Sequence, residues 1–246
     1  MNEVIRQIKE RKSVRVFEEK VISTEIKNEI INAAFQAPTA GNMMLYSILD
    51  VTDEDLKKKL AVTCDNQPFI AKAPLVLIFL ADYQRWFDAF EINECKPRTP
   101  GEGDILLACA DAIIAAQNTV VAAESLGIGS CYIGDILENC EEVRELLNLP
   151  EYVIPATMLV YGYPTEQQKT RKKPIRFEKE YIVYENNYRR LSKEEHEDMH
   201  HIRNEKSSIN KDTVEGIKAL CNRKYMSDFS IEMSRSVGEY LKNFRR

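Results

Sequence analysis

The sequence predicts a mixed α and β fold with a helical C-terminal part. Helix and strand patterns alternate over most of the 246 residues, a long alanine-rich helix lies among them, and charged helical segments follow residue 190. The chain is 44% hydrophobic, which is enough to bury a full core. We expect a core over residues 1–190 and a C-terminal helical extension over residues 191–246, both belonging to one domain.

The N-terminal half alternates amphipathic helices with short strands. Residues 4–8 give a short amphipathic helix, and Ser23 begins a second helix that runs to about Phe35. Residues 37–42, Ala-Pro-Thr-Ala-Gly-Asn, break that helix. The elements that follow are a strand over 45–51, a helix from Asp53 to residue 62, and a buried strand over 75–80.

The longest helix is predicted over residues 103–126. Apolar residues cover much of its circumference, so it must be buried, either in the core or at a subunit interface. Gly127 ends it as a C-terminal cap. The elements predicted after it are a strand over 128–133, a short helix over 141–147, a strand over 153–161, and helices over 193–206, 213–220 and 230–244.

Composition argues against several classes of partner. The net charge of -5 argues against nucleic acid or an anionic membrane as the main binding partner, because both are negatively charged and bind basic surfaces. The longest apolar run, residues 73–81, is shorter than the roughly 20 residues that cross a bilayer. The six cysteines form no CxxC pair and the first residues are not an apolar signal segment, which favours a reducing, cytoplasmic location.

The most informative motif is Arg11-Lys12-Ser13-Val14-Arg15. Two arginines four residues apart in an acidic chain are typical of an anion site, because guanidinium groups match phosphate oxygens. The alternative is a solvated helix end. A second basic run, Lys-Thr-Arg-Lys-Lys over residues 169–173, follows a strand and a turn. The two segments could converge on one phosphorylated ligand.

Three glycines lie in the segment from residue 126 to residue 135. Gly127, Gly129 and Gly134 do not match the dinucleotide-binding fingerprint, because the spacing differs and a helix precedes them. They indicate either simple turns or a backbone that approaches a flat ligand closely. Cys131 is interpreted as a buried structural thiol, since no histidine lies near it in sequence.

Residues 196–200, His-Glu-Asp-Met-His, match the HExxH zinc motif. Most of the flanking residues are charged, so the segment lacks the apolar back that a catalytic zinc helix docks into a core. We interpret it as a surface helix and predict no metal site.

A series of short motifs also occurs in a definite order along the chain. They are Arg11-Lys12-Ser13-Val14-Arg15, Ala37-Pro38-Thr39, Asn66-Gln67, the long helix, the glycine segment with Tyr132-Ile133-Gly134, Gly162-Tyr163-Pro164, and Ser227-Asp228-Phe229. In order and spacing they resemble the flavin-dependent nitroreductase family, and more closely its oxygen-insensitive NAD(P)H nitroreductase and flavin reductase branch. The resemblance covers essentially the whole chain.

The resemblance implies a homodimer of α+β subunits, with an antiparallel sheet between helices and C-terminal helices that wrap the partner. It implies two bound FMN molecules at the dimer interface. The implied function is an FMN-dependent NAD(P)H oxidoreductase, which passes hydride through flavin N5 to a nitroaromatic, quinone or flavin acceptor in a ping-pong cycle. No side chain acts as a catalytic acid or base in this scheme.

Cofactor-binding residues follow from the resemblance by position. They are Arg11, Lys12, Ser13, Arg15, Thr39, Gln67, Phe69, Ile133, Gly134, Asp135, Lys169 and Arg171. Arg11 with Lys169 and Arg171 would hold the FMN phosphate, and Gln67 would bond the pyrimidine edge. Arg15 would face N1 and O2, where negative charge appears on hydride addition.

Other implied contacts come from backbone. Residues 133–135 would present main-chain groups near N5 and O4, with Gly134 keeping the approach open, and Thr39 would contact the cofactor from its loop. Three places depart from the family pattern, and the first is Thr39, which stands where related sequences often have a serine. Asn42-Met43-Met44-Leu45 replaces an N-x-Q-P element, so a glutamine contact is lost, and Phe69 stands where a hydrogen-bonding residue is often found.

Two assignments stay open. Lys172 or Lys173 could substitute for Lys169 or Arg171, because the basic run allows other alignments. Residues 203–211 are unlike the arginine-bearing loop that binds the NADPH 2'-phosphate in this branch. Arg203, Lys206 and Lys211 are therefore not assigned to it, and the choice between NADPH and NADH is open.

Two other functions remain as alternatives. The altered loop over residues 42–45 would permit an FMN-binding sensor or carrier with little turnover. The third hypothesis is a zinc hydrolase that uses His196 and His200.

Overall fold

A computed structural model describes residues 1–207 and 212–245. The strands are β1 (Tyr46–Asp50), β2 (Leu75–Asp82), β3 (Gly129–Ile133) and β4 (Val153–Gly162). The α-helices are α1 (Glu3–Glu10), α2 (Thr24–Ala34), α3 (Glu54–Thr63), α4 (Gln84–Ile92), α5 (Glu102–Ser125), α6 (Cys140–Leu146), α7 (Glu166–Thr170), α8 (Lys193–Lys206), α9 (Thr213–Leu220) and α10 (Asp228–Leu241).

The four strands form one sheet in the order β1-β2-β4-β3, and every neighbouring pair is antiparallel. All eight residues of β2 are buried. Val76, Ile78 and Leu80 pack on one side with α3 and α6, while Leu77 and Phe79 pack on the other side with α2 and α5. Burial of both faces explains why β2 is continuously apolar in sequence. The predicted antiparallel sheet between helices is confirmed.

The long helix α5 is buried on one side and exposed on the other. Ala112, Ala116 and Ala123 are fully buried against the sheet, whereas Leu106 and Ile113 are 68% and 46% exposed. By length and composition alone, α5 is also apolar enough to cross a membrane. The packed alanine face is that of a core helix, so burial in the core is confirmed for that face only.

The chain divides into two compact units. One comprises Met1–Arg171 together with Glu232–Arg246, and the other comprises Lys172–Ile231. The end of the chain packs within the first unit: Arg235 pairs with Glu141 at 2.7 Å, and Tyr240 is 1% exposed. The division at residue 190 and the wrapping of a partner by the C-terminal helices stay predictions.

Most predicted elements lie within a few residues of the observed ones, but the α-helices α4 and α7 were not predicted. α4 begins after Tyr83, which makes no side-chain capping bond, so the sequence carries no start signal there. α7 has only five residues. A segment that short shows little periodicity, and its last two residues, Lys169 and Thr170, belong to the basic run.

Candidate functional site

The segment after α1 lies along the edge of the sheet. Ser13 forms a parallel bridge with Ser130 of β3, and Val14 N donates to the Ser130 carbonyl at 2.9 Å. Further on, Phe17 forms an antiparallel bridge with Pro164. Backbone pairing therefore fixes the position of residues 11–17 beside β3.

Two glycines make room for this segment. A Cβ on Gly129 would lie 2.5 Å from Val14 Cγ2, and a Cβ on Gly162 would lie 2.6 Å from the Phe17 ring. Gly127 has a φ of +72° and caps α5, as predicted. Of the two interpretations of the glycines, close approach applies at Gly129, but the backbone there approaches the chain's own residues rather than a flat ligand.

The two basic segments lie side by side. The Lys12 Nζ donates to the carbonyls of Lys169, at 2.6 Å, and of Arg171. In return, the Arg171 guanidinium donates to the Ser13 carbonyl at 2.5 Å. The structure therefore brings together the segments whose convergence the sequence left open, and Lys12 holds the second segment in place.

Arg11 has an unused donor inside this cluster. Its Nε is buried and has no hydrogen-bond partner, and no salt bridge involves Arg11 in the part of the chain that the structure describes. Burial raises the pKa of Tyr132 to about 12, and the nearby Arg11 charge acts in the opposite direction. A guanidinium nitrogen that is buried without an acceptor is costly, so this position favours an anion.

The other residues predicted to bind the phosphate or the N1 and O2 edge of the flavin differ in how free their side chains are to bind a ligand. Lys169 Nζ lies 3.2 Å from Glu18 Oε1, so its charge is already paired. Burial raises the pKa of the Cys131 thiol, which is 1% exposed, and the nearby Ser13 hydroxyl acts in the opposite direction. Arg15 is exposed, with its guanidinium 6.0 Å from the centre of the Phe69 ring.

The residues predicted near the flavin ring surround the end of β3. Gln67 Nε2 donates to the Cys64 carbonyl and to Asp135 Oδ2, both at 2.9 Å. Ile133 is 1% exposed and its side chain packs in the core. A Cβ on Gly134 would meet nothing within 4 Å, so this approach is open.

The Thr39 loop is held by a residue that the sequence analysis missed. Asp111 of α5 is 3% exposed and accepts hydrogen bonds from Ala40 N at 3.0 Å and Leu45 N at 3.2 Å. Thr39 Oγ1 accepts from Met44 N at 3.2 Å. An acidic residue between Ala110 and Ala112, in the apolar middle of the helix, was the available signal. The loop that departs from the family pattern is therefore well supported.

The HExxH segment lies in the second unit. His200 packs edge-on against Phe177 with ring centres 5.3 Å apart, and Met199 is 8% exposed. Within residues 1–207 and 212–245, no group of three or more His, Cys, Asp or Glu side chains could hold a metal ion. The zinc hypothesis gains no support.

Arg203 and Lys206 lie on α8 rather than in a loop. The Arg203 guanidinium stacks 4.4 Å from the Phe177 ring centre, and Lys206 pairs with Glu178. Arg203 also borders a cavity of about 650 Å³ within the second unit. Lys211 lies outside the described residues. The 2'-phosphate role stays unassigned.

Comparisons with known proteins agree on one family. The model of the Nitroreductase family matches residues 8–163. An FMN reductase (NAD(P)H) of Bacillus subtilis (strain 168) is 36% identical over 190 residues, which cover 76% of this chain and 75% of that protein. A Cr(VI) reductase of Pseudomonas sp. (strain G-1) is 32% identical over 230 residues, covering 93% and 92%. The solved structure of B. megaterium NfrA2 superimposes with a TM-score of 0.83 at 32% identity, covering 98% of each chain.

Proposed function

Because this chain belongs to the nitroreductase family, we propose that its site reduces small electron acceptors with FMN and a nicotinamide nucleotide. The protein is an NAD(P)H-dependent flavoprotein oxidoreductase, and FMN is its cofactor. The acceptors are nitroaromatics, quinones or free flavin, small molecules that an open site can admit.

The observation that carries this proposal is the buried Nε of Arg11. It has no partner in the described structure, and the next two residues in sequence, Lys12 and Ser13, are bonded to the second basic segment. A phosphate monoester supplies the charge and the acceptor oxygens that such a donor needs. The residues present therefore fit the phosphate of FMN.

The remaining residues divide between the phosphate and the ring. Arg11, Ser13 and Arg171 hold the phosphate, with Lys169 added if it leaves Glu18, and Lys12 keeps the second segment in position. Arg15 supplies positive charge at the N1 and O2 edge. When bound, FMN would supply the hydride chemistry at N5 that carries electrons from NADPH or NADH to the acceptor in a ping-pong cycle.

Spectroscopy and turnover test the proposal together. Freshly purified protein should be yellow, NADPH or NADH should bleach it anaerobically, and a nitroaromatic or quinone should restore the colour in a separate step. Initial-rate plots at several acceptor concentrations should give parallel lines. A flavin that neither nucleotide reduces would favour the sensor or carrier instead. A colourless protein that does not take up added FMN would overturn the proposal.

The active form is a homodimer, and the exposed side of α5 supports this. Leu106, Leu107, Ile113 and Ile114 are 68%, 47%, 46% and 41% exposed in the single chain. Four large apolar side chains exposed on one helix are typical of a protein interface. The unpaired state of all six cysteines supports the proposed cytoplasmic location.

Charge on the exposed side of α5 should separate the subunits. Leu106→Glu is expected to reduce the mass seen by light scattering from that of two chains to that of one, because a carboxylate would be desolvated in the interface. Val21→Glu is the control, since Val21 is 85% exposed and lies outside α5. If both variants keep the mass of a dimer, this part of α5 is not the interface.

A further inference from the structure

The C-terminal helix caps another helix, which follows the turn expected to face the flavin. The chain passes from β3 through the short 3-10 helix Gly134–Leu137 to Asn139, where α6 begins. The side chain of Asn139 makes no capping bond to α6. Instead, Asn139 N donates to Glu232 Oε1 at 3.2 Å, and Cys140 N donates to Ser236 Oγ at 3.0 Å. Two N–H groups at the start of α6 are therefore satisfied by side chains of α10.

The two capping side chains are fixed by contacts of their own. Ser236 is fully buried, and its hydroxyl donates to Glu232 Oε1 at 2.7 Å. Arg235 Nε donates to Glu232 Oε2 at 2.9 Å, and the same guanidinium binds the two carboxylate oxygens of Glu141 at 2.8 and 2.7 Å. Charge-assisted bonds of this kind restrict the rotation of a carboxylate. α10 therefore presents both caps to α6 in a fixed position.

Asn139 joins three parts of the first unit. Its backbone is left-handed, with a φ of +50°, a conformation that asparagine adopts more readily than most residues. Its Nδ2 donates to the Thr63 carbonyl at the end of α3, and its own carbonyl accepts from Val143 N of α6, both at 2.9 Å. Such a conformation persists where the surroundings fix it. The bond to Glu232 of α10 is the third contact that does so.

The turn before Asn139 has few other supports at its start. Glu138 N donates to the Asp135 carbonyl at 3.0 Å, which closes residues 135–138 on themselves. A Cβ on Gly134 would meet nothing within 4 Å in the described part of the chain, so side-chain packing does not fix the backbone there. Because the turn is closed, a change in the direction of the chain at Asn139 is passed back to Gly134.

We propose that Glu232 and Ser236 are positioning residues of the flavin site. By capping α6 they fix Asn139 and, through the closed turn, the main chain at Gly134. The inference rests on the proposed function, in which the ligand is FMN and residues 133–135 present main-chain groups near N5. The C-terminal helix thus acts on the flavin through the backbone of another segment. Loss of the caps changes the contact at N5 and leaves the phosphate contacts, which lie on other segments, in place.

Magnetic resonance of bound FMN tests this at the atom concerned. FMN labelled with ¹⁵N at N5 carries a second probe in its phosphorus atom. In Glu232→Ala and in Ser236→Ala the N5 resonance should shift, because a hydrogen bond to a nitrogen changes its shielding, while the ³¹P resonance should keep its wild-type position. The dissociation constant of FMN should rise by no more than about tenfold, the size of one lost hydrogen bond.

Two further variants separate positioning from general stability. Tyr240→Phe removes a hydroxyl that donates to the Cys140 carbonyl at 3.4 Å, so it weakens the contact of α10 with α6 without touching either cap. It should leave the N5 resonance unchanged. Glu232→Gln keeps an acceptor oxygen for Asn139 N and should retain the wild-type resonance. Melting of the apoproteins measures stability, and the loss of one cap should lower the melting temperature by about 2–4 °C.

The caps can also be observed without cofactor. In the apoprotein of Glu232→Ala, the amides of Asn139 and of residues 134–138 should exchange with solvent about tenfold faster than in the wild type, since one hydrogen bond that holds them is lost. Tyr240→Phe should exchange at these positions as the wild type does. Equal rates in Glu232→Ala and Tyr240→Phe would show that the cap does not hold the turn.

The outcomes separate this inference from the proposed function. If the wild-type protein binds no FMN, the proposed function fails, and the inference fails with it. If FMN binds but its N5 resonance is the same in Glu232→Ala, Ser236→Ala and the wild type, the inference alone is wrong. The same holds if Tyr240→Phe shifts that resonance as much as Ser236→Ala does, because the effect would then follow from stability.

Discussion

Replacing Arg11 with alanine should yield a protein that purifies without FMN. The change removes the cation whose buried Nε is unpartnered, and charge-assisted hydrogen bonds contribute about 1.5–3 kcal/mol each. Losing two of them weakens binding by more than about 100-fold. Titration of the apoprotein with FMN and with riboflavin measures the effect. Riboflavin lacks the phosphate, so the variant should bind it as the wild type does.

The same substitution should not unfold the protein. Arg11 makes no salt bridge in the described part of the chain, so its removal leaves no other charge unpaired and takes away a buried donor that has no acceptor. The melting temperature of the apoprotein should stay the same or rise. Full FMN occupancy in Arg11→Ala, or an equal loss of FMN and riboflavin binding, would contradict the phosphate assignment.

Arg15→Ala is the matched control for this experiment. Arg15 is exposed and lies near Phe69, away from the carbonyls that Lys12 and Arg171 bind. Its removal should keep the flavin bound but lower the reduction potential, because positive charge at the N1 and O2 edge stabilises the reduced form. The substitution of Arg11 is therefore expected to change FMN binding, and that of Arg15 the reduction potential of the bound flavin.

Helix starts were predictable from sequence because capping is local. Ser23 and Asp53 each accept a hydrogen bond from a backbone N–H three residues ahead, and each begins its helix where predicted. The continuous apolar run of β2 likewise predicted a strand buried on both faces. These signals need no knowledge of the rest of the fold.

The long-range contacts at the site could not be predicted in this way. Lys12 binds a carbonyl 157 residues away, and Asp111 binds a loop more than sixty residues before it. Both contacts depend on the order of strands in the sheet, which local patterns do not specify. The sequence predicted Lys12 only as one of the cofactor-binding residues, and nothing near it in sequence indicated that it binds the carbonyls of Lys169 and Arg171.

Gly129→Ala should destabilise the protein and weaken FMN binding together. The new Cβ would lie 2.5 Å from Val14 Cγ2 and 2.8 Å from Val14 Cβ, and Val14 is only 4% exposed. Because atoms near the Val14 backbone are involved, the segment that carries Arg11 and Ser13 must move. Overpacking of this kind costs about 1–3 kcal/mol. Thermal unfolding of the apoprotein and FMN titration measure the two effects, with a fall of about 2–4 °C per kcal/mol.

The cause of the destabilisation in Gly129→Ala can be identified because Gly129 does not have a positive φ. Backbone strain is therefore not part of the expected effect, and steric contact with Val14 is. Adding Val14→Ala to Gly129→Ala removes both Cγ atoms and should recover part of the stability, which a double-mutant cycle reports as coupling.

Gly238→Ala in α10 is the control. Its Cβ would meet nothing within 4 Å, so it should stabilise the helix by about 0.5–1 kcal/mol. If Gly129→Ala is as stable as the wild type and binds FMN normally, the approach of residues 11–17 to β3 does not position the phosphate site.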